Sequence, residues 1–127
     1  GKEVSGFDND IWKGARTPLM YMIFNAKYSQ NEEPYGKLIQ SKDTIMVEAS
    51  PYDKIWGCGL SEEKAKRTPE KQWSGKNLHG KVLTKYKNDI FNNDVKNFTL
   101  DEILGFGIRN KKKVIASNKK PSQSYSP

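Results

Sequence analysis

The sequence predicts an α+β fold, a helix-dominated single domain with one short strand element. Three observations favour this fold class. Apolar side chains recur at helical spacing in several segments, β-branched residues cluster in the short segment TIMVEA, and the 127 residues contain no internal repeat. A chain of this length with 35% hydrophobic residues can bury one modest core. We therefore expect a single domain body.

The first predicted elements are a short helical turn and a longer helix. Asp8 or Asn9 is the candidate N-cap of the turn, which is expected to break near Pro18. Pro18 in turn suits the first position of the longer helix, LMYMIFNAKYSQ. The apolar face of that helix is formed by Leu19, Met22, Ile23 and Ala26.

A short helix near Pro34 and a strand of about five residues, TIMVEA at 44–49, are expected next. Ser61 then has the composition of an N-cap, and Pro69 restarts a helical turn. A further helix is predicted from apolar residues at every fourth position, namely Leu78, Val82, Tyr86 and Ile90.

The last predicted helix begins at TLDEIL, where Thr99 and Glu102 form a capping-box pattern. Residues 1–106 are then expected to form the domain and residues 107–127, here called the basic tail, to be disordered. The tail contains six cations and no acid, whereas the whole chain has a net charge of +7. The cations are Arg109, Lys111, Lys112, Lys113, Lys119 and Lys120. A sharper alternative for the 109–120 cluster is docking to an acidic partner or nucleic acid.

Composition excludes several classes of chemistry. The single cysteine, Cys58, rules out an internal disulfide, and the single histidine, His79, leaves no plausible zinc site. We therefore expect no cofactor and no metal. The longest apolar run, around Leu19 to Phe24, is far too short to span a membrane, so we expect no membrane partner and a cytoplasmic or otherwise intracellular protein.

Two motifs carry the candidate chemistry. SPYDKIWGCG places Asp53 and Trp56 three positions apart beside glycines, including Gly57, which let a backbone approach a ligand closely. SGKN, at residues 74–77, begins a helix and is expected to offer free backbone amides together with Lys76 as a phosphate cradle. It does not match the Walker loop, because Asn77 stands where serine or threonine is required.

Taken together, these motifs resemble a known family. Trp12 before a helix ending in KYSQN, then VEASPYDKIWGCGL, then WSGKNLHGKVL, is similar to the NADAR domain, the YbiA-like family of N-glycosidases, over residues 1–90. The resemblance implies hydrolysis of an N-glycosidic bond to ribose. The implied substrates are phosphorylated riboflavin-pathway intermediates or ADP-ribose attached to guanine.

The family's N-terminal motif of serine, glutamate, histidine and tyrosine has no counterpart here. We therefore expect a fragment, a processed product or a divergent member. A non-catalytic nucleotide- or ADP-ribose-binding module, or a structural component on the same scaffold, is the alternative function.

In the enzyme hypothesis, Asp53 stabilises the cation-like sugar or orients water. Trp12 and Trp56 stack on the base, and Lys76, Asn77 and Arg16 hold the phosphate and ribose. Each residue also has a structural interpretation. Asp53 can be a turn residue bonded to nearby backbone, the tryptophans core anchors, Asn77 an N-cap, and the two cations solvated charges.

Overall fold

The computed structural model describes residues 7–119, which contain five α-helices and one short 3-10 turn. The elements are α1 (Asn9–Ser29), α2 (Glu32–Gln40), α3 (Glu62–Arg67), the 3-10 turn (Glu70–Gln72), α4 (Leu78–Phe91) and α5 (Leu100–Asn118). The chain divides into two compact units. Among the described residues, the first comprises 7–19 and 98–119, and the second comprises 20–97.

The α+β prediction is wrong, because residues 7–119 fold into helices and contain no strand. Segment 44–49 was the expected strand, yet no second strand lies beside it. Side chains bond several of its backbone groups, and Glu48 O accepts from Cys58 N at 2.8 Å. Met46 N donates to Thr84 Oγ1 at 2.9 Å, and Glu48 N donates to Asn77 Oδ1 at 2.9 Å. β-propensity reports how well a residue fits a sheet surface, so it cannot create a strand without a partner.

The predicted break near Pro18 is also wrong, because α1 continues through this residue from Asn9 to Ser29. Asp8 is confirmed as the N-cap, since its Oδ1 accepts hydrogen bonds from Asp10 N at 3.0 Å and Ile11 N at 3.1 Å. A proline inside a helix removes one backbone hydrogen bond. Pro18 itself is buried. The predicted apolar face of this helix is wrong at Ile23 and Ala26, which are exposed, whereas Tyr21 and Phe24 are buried.

Within the first unit, the basic tail is not disordered over its first part, because α5 extends to Asn118. Two polar side chains of that segment have partners at the start of α1. Asn110 Nδ2 donates to Asp10 O at 2.7 Å, and the Lys111 ammonium forms an ion pair with the Asp8 carboxylate. Composition alone predicted a solvated tail because it does not reveal these long-range contacts. Residues 120–127 lie outside the described residues.

Glycines allow close packing of α5 on α1 in this unit. A Cβ added to Gly107 would lie 2.4 Å from Ile11 O, and one added to Gly14 would lie 2.5 Å from Phe106 O. Both distances are too short for a real Cβ, so a larger residue would push the helices apart. These glycines lower helix propensity, but they provide the contact that orders the segment.

The second unit has a core built from α1, α2 and α4. Tyr21 and Tyr86 pack edge to face with ring centroids 5.3 Å apart. The other buried apolar side chains of these three helices are Phe24, Leu38, Val82 and Leu83. The helical spacing of α4 therefore predicted its buried face correctly at Val82 and Tyr86.

A fully buried lysine fixes the chain between α2 and segment 44–49. Lys87 Nζ donates to Ser41 O at 2.6 Å and to Thr44 O at 2.5 Å. Burial lowers the pKa of Lys87, although nearby Asp43 opposes that shift. The ammonium thus connects the C-cap residue of α2, Ser41, to the first residue of segment 44–49.

Candidate functional site

The two motifs singled out in the sequence are hydrogen-bonded to each other in the second unit. Five consecutive backbone N–H groups, those of residues 75–79, donate to carbonyl oxygens of residues 54–58. The pairs are Gly75 with Cys58 at 2.8 Å, Lys76 with Lys54 at 2.7 Å, Asn77 with Gly57 at 2.9 Å, Leu78 with Ile55 at 3.1 Å, and His79 with Trp56 at 3.0 Å. The expectation that SGKN offers free amides to a phosphate is therefore wrong.

Glycines make this contact between backbones possible. A Cβ on Gly75 would lie 2.4 Å from Gly57 O, and a Cβ on Gly59 would lie 2.3 Å from Ser74 Oγ. Gly59 also has φ +77°, a conformation that other residues rarely adopt. Gly57 is buried, and its carbonyl accepts from Asn77 N. The observed role of these glycines is close approach of backbone to backbone, whereas approach of Gly57 to a ligand stays a prediction.

Asn77 joins α4 to segment 44–49. Its side chain is 1% exposed; Oδ1 accepts from Glu48 N at 2.9 Å, and Nδ2 donates to Met46 O at 3.1 Å. Asn77 stands at the N-cap position of α4 with φ 52°, but its side chain makes no capping hydrogen bond. A Cβ on Gly80 would lie 2.1 Å from Met46 O, which shows how closely α4 approaches this segment. Asn77 thus bonds the backbone as a neighbouring strand would.

Asp53 closes a turn with its own side chain. Oδ1 accepts hydrogen bonds from Trp56 N at 2.9 Å and Ile55 N at 3.0 Å. These bonds, the one from Trp56 most of all, lower the pKa of Asp53 from its ordinary value of 3.8. The carboxylate is therefore ionised at neutral pH. This geometry matches the turn interpretation, and contact of Asp53 with a substrate stays a prediction.

The lowered pKa of Asp53 predicts a pH-dependent contribution to stability. Its stabilising effect is present above the ordinary pKa of 3.8 and is lost as pH falls through the lower folded-state value. Asp53→Asn retains an acceptor oxygen but cannot ionise. Chemical denaturation should show wild type losing its stability advantage over this variant as pH falls from about 5 through 3.8 and below. A difference that stays constant across that range would contradict the assignment.

Glu48 and His79, also in the second unit, bring two ionisable side chains together. His79 Nδ1 lies 3.6 Å from Glu48 Oε2, and the imidazole packs edge to face on Phe24 with ring centroids 5.0 Å apart. The Glu48 and His79 side chains are 47% and 33% exposed, so a ligand can reach both. The main chains of Glu48 and Asp53 both lie against Gly57. Sequence analysis treated Glu48 and His79 separately because they are far apart in the chain.

A cavity of about 620 Å³ opens beside the start of α4. Its lining includes Glu70, Lys71, Trp73, Lys76, Asn77 and Lys81. Only two of these, Lys76 and Asn77, were predicted substrate-binding residues. The indole of Trp73 is held by a hydrogen bond from Nε1 to Thr68 O at 2.9 Å. The sequence could have indicated Trp73 as a site residue, because it directly precedes SGKN. Lys71 reaches the same cavity through the 3-10 turn.

The remaining predicted site residues belong to different units. Trp56 is half-buried in the second unit, while Trp12 and Arg16 lie in the first. The ring of Trp12 is 6.5 Å from that of Phe7. Arg16 Nε is buried without a hydrogen-bond partner among the described residues. The expected stacking of a base between Trp12 and Trp56, and the role of Arg16 with phosphate, stay predictions.

Residues 7–119 contain neither a metal-binding cluster nor a helix suited to a membrane. Within this range, no group of three or more histidine, cysteine, aspartate or glutamate side chains is arranged to hold a metal ion. None of the helices in the same range combines the length and apolar character that crossing a membrane requires.

The chain belongs to the NADAR domain family, whose match covers residues 1–91. It is 39% identical over 89 residues to "N-glycosidase R617" of Acanthamoeba polyphaga mimivirus, covering 70% of this chain and 52% of that protein. It is also 35% identical over 81 residues to "Protein irg-1" of Caenorhabditis elegans, covering 64% of this chain and 38% of the relative. The family resemblance seen in the motifs is thereby confirmed.

A more distant similarity connects the chain to a plant protein. It is 27% identical over 79 residues to "Riboflavin biosynthesis protein PYRR, chloroplastic" of Zea mays, covering 62% of this chain and 11% of that protein. This chain therefore spans about half the length of the viral relative and less of the other two. No solved structure matches it significantly.

Proposed function

We propose that this protein is an N-glycosidase that hydrolyses an N-ribosyl bond. The observation that carries the proposal is the Asp53 carboxylate, which backbone amides hold in its ionised form next to Trp56. A fixed negative charge stabilises a sugar that becomes cation-like as its bond to nitrogen breaks. Membership of a family that includes a named N-glycosidase supports the same chemistry.

The proposed reaction needs water and a proton source. The bond from the anomeric carbon to nitrogen breaks, and its electron pair leaves with the base nitrogen, which takes up a proton. The oxygen of water bonds to the anomeric carbon and releases a proton. Asp53 is ionised and so cannot protonate the leaving base. We assign that role to the Glu48–His79 pair, in which His79 Nδ1 lies 3.6 Å from Glu48 Oε2.

The proposed substrates are ADP-ribosylated guanine and ribosylamine phosphates of the riboflavin pathway. The first follows from the family resemblance, and the name of the maize relative supports the second. Incubation of the chain with ADP-ribosylated guanosine and with a ribosylamino-pyrimidine phosphate, followed by mass spectrometry, tests the proposal. We expect release of an intact base or nucleoside from at least one substrate. Retention of both glycosidic bonds would contradict hydrolysis by this chain.

A non-catalytic nucleotide-binding role is the second candidate. The observation favouring it is that the hydrogen bonds of Asp53 within its own turn explain this residue without any substrate. This alternative predicts binding of ADP-ribose with no release of base. The same incubation, combined with a binding measurement, therefore separates the two functions.

A further inference from the structure

The cavity beside the start of α4 carries an excess of positive charge. Lys71, Lys76 and Lys81 line it together with one acid, Glu70. None of the three lysines forms an ion pair within residues 7–119. By contrast, exposed lysines on other helices, such as Lys66, pair with a glutamate one turn away. Three unpaired ammonium groups around one concavity favour an anionic ligand.

The cavity also has an apolar wall. Trp73 is half-buried, and the indole Nε1 is already bonded to Thr68 O. The rest of the indole ring therefore offers carbon surface. The volume of about 620 Å³ lies within the range of pockets that hold small organic ligands, and exceeds what a bare phosphate ion requires. Positive charge beside a fixed aromatic ring suits a ligand with phosphate next to a sugar or base.

The backbone amides of SGKN beyond Ser74 are not available for this anion. Residues 75–79 use their N–H groups on carbonyls of residues 54–58, and the Asn77 side chain is bonded to Met46 and Glu48. The lysine side chains, which act as mobile point charges, are therefore the charged groups that can recognise it. Lys76 and Lys81 are exposed, and within residues 7–119 neither ammonium group has a hydrogen bond to lose when it turns towards a ligand.

We propose that Lys71, Lys76 and Lys81 bind the pyrophosphate of an ADP-ribosyl substrate in this cavity, with Trp73 as the wall against the adjoining sugar. This inference rests on the proposed function, and it extends that function by assigning the phosphate subsite to side chains. It also adds Lys71, Lys81 and Trp73 to the predicted binding residues. Electrostatic binding of this kind weakens as salt rises.

Calorimetric titration with ADP-ribose tests the proposal on the double variant K76Q/K81Q. The matched control K112Q/K113Q removes the same charge from two exposed lysines of α5. We expect Kd to rise about tenfold or more in the first variant and less than about twofold in the control. The first variant should also show a weaker dependence of Kd on salt. Equal changes in both variants, or no ADP-ribose binding by wild type, would overturn the proposal.

Chemical modification offers a readout that needs no variant. Saturating ADP-ribose should protect Lys71, Lys76 and Lys81 from acetylation, measured by mass spectrometry, and leave Lys112 and Lys113 unprotected. Adenosine, which lacks phosphate, should protect none of them. Protection of all lysines alike would contradict a defined subsite.

The two proposals fail in different ways. If K76Q/K81Q binds ADP-ribose as wild type does while Asp53→Asn abolishes turnover, the phosphate subsite is wrong and the glycosidase proposal stands. If K76Q/K81Q loses binding but the wild-type chain releases no base, the subsite stands and the glycosidase proposal fails.

Discussion

Asn77→Ala is expected to lower the free energy of unfolding by about 3 to 5 kcal/mol. The substitution leaves Glu48 N–H and Met46 C=O without their side-chain partners at a residue that is 1% exposed. Each unpaired buried group costs about 1 to 3 kcal/mol. Asn77 also has φ 52°, which adds a smaller cost for alanine. Urea denaturation of purified variants measures the change.

Asn93 provides a matched control for the backbone contribution. It has the same φ of 52° but is exposed, and no hydrogen bond of its side chain is found in the described part of the chain. Asn93→Ala should therefore cost only about 1 kcal/mol. The difference between the two variants isolates the bonds to segment 44–49. Equal losses would show that Asn77 contributes through its backbone conformation alone.

Asp53→Asn is expected to lower kcat/KM for base release by about 10²- to 10³-fold. The variant retains an oxygen that can accept from Trp56 N and Ile55 N, so the turn should persist while the charge is lost. ADP-ribose binding should stay within about threefold of wild type, because the proposed phosphate subsite lies on other residues. Steady-state kinetics and calorimetry measure the two effects.

Asp43→Asn is the control for removal of an acid, since Asp43 is exposed and lies outside the turn. Its kcat/KM should stay close to that of wild type. A similar fall in both variants would indicate that net charge matters rather than the position of Asp53. Loss of ADP-ribose binding in Asp53→Asn would instead indicate a structural role for the turn.

The helix-capping signals at Asp8, Ser61 and Thr99 were predicted correctly from the sequence. Ser61 accepts from Lys64 N at 3.3 Å, and Thr99 and Glu102 form both bonds of the capping box, as predicted. Asp8 likewise caps α1. These interactions join residues two or three positions apart, so the pattern contains both partners.

Features that depend on distant partners were missed. Segment 44–49 has the composition of a strand, but its backbone is bonded by Asn77 and Thr84, which lie 29 and 38 residues away from their partners. The basic tail has the composition of a disordered segment, but Asn110 bonds to Asp10 O across 100 residues. Composition describes one segment at a time, so it cannot reveal what the rest of the chain supplies.

The same limit explains why only part of the candidate site was predicted from the sequence. The motifs identified the two segments that meet, but not that the amides of residues 75–79 would be bonded to carbonyls of residues 54–58. Lys76 and Asn77 were singled out from SGKN, whereas Lys71 and Lys81 reach the same cavity from a 3-10 turn and from α4. Lys71 belongs to no motif, and Lys81 lies within WSGKNLHGKVL without being singled out as a binding residue.

The central claim is that this chain cleaves an N-ribosyl bond, and a single-turnover time course tests it most directly. Purified chain in excess is mixed with ADP-ribosylated guanosine, and all products are quantified by mass spectrometry. We predict that guanosine and ADP-ribose appear together in equal amounts as the substrate disappears, and that Asp53→Asn slows both. Intact substrate, or cleavage at the pyrophosphate with release of AMP, would contradict the claim.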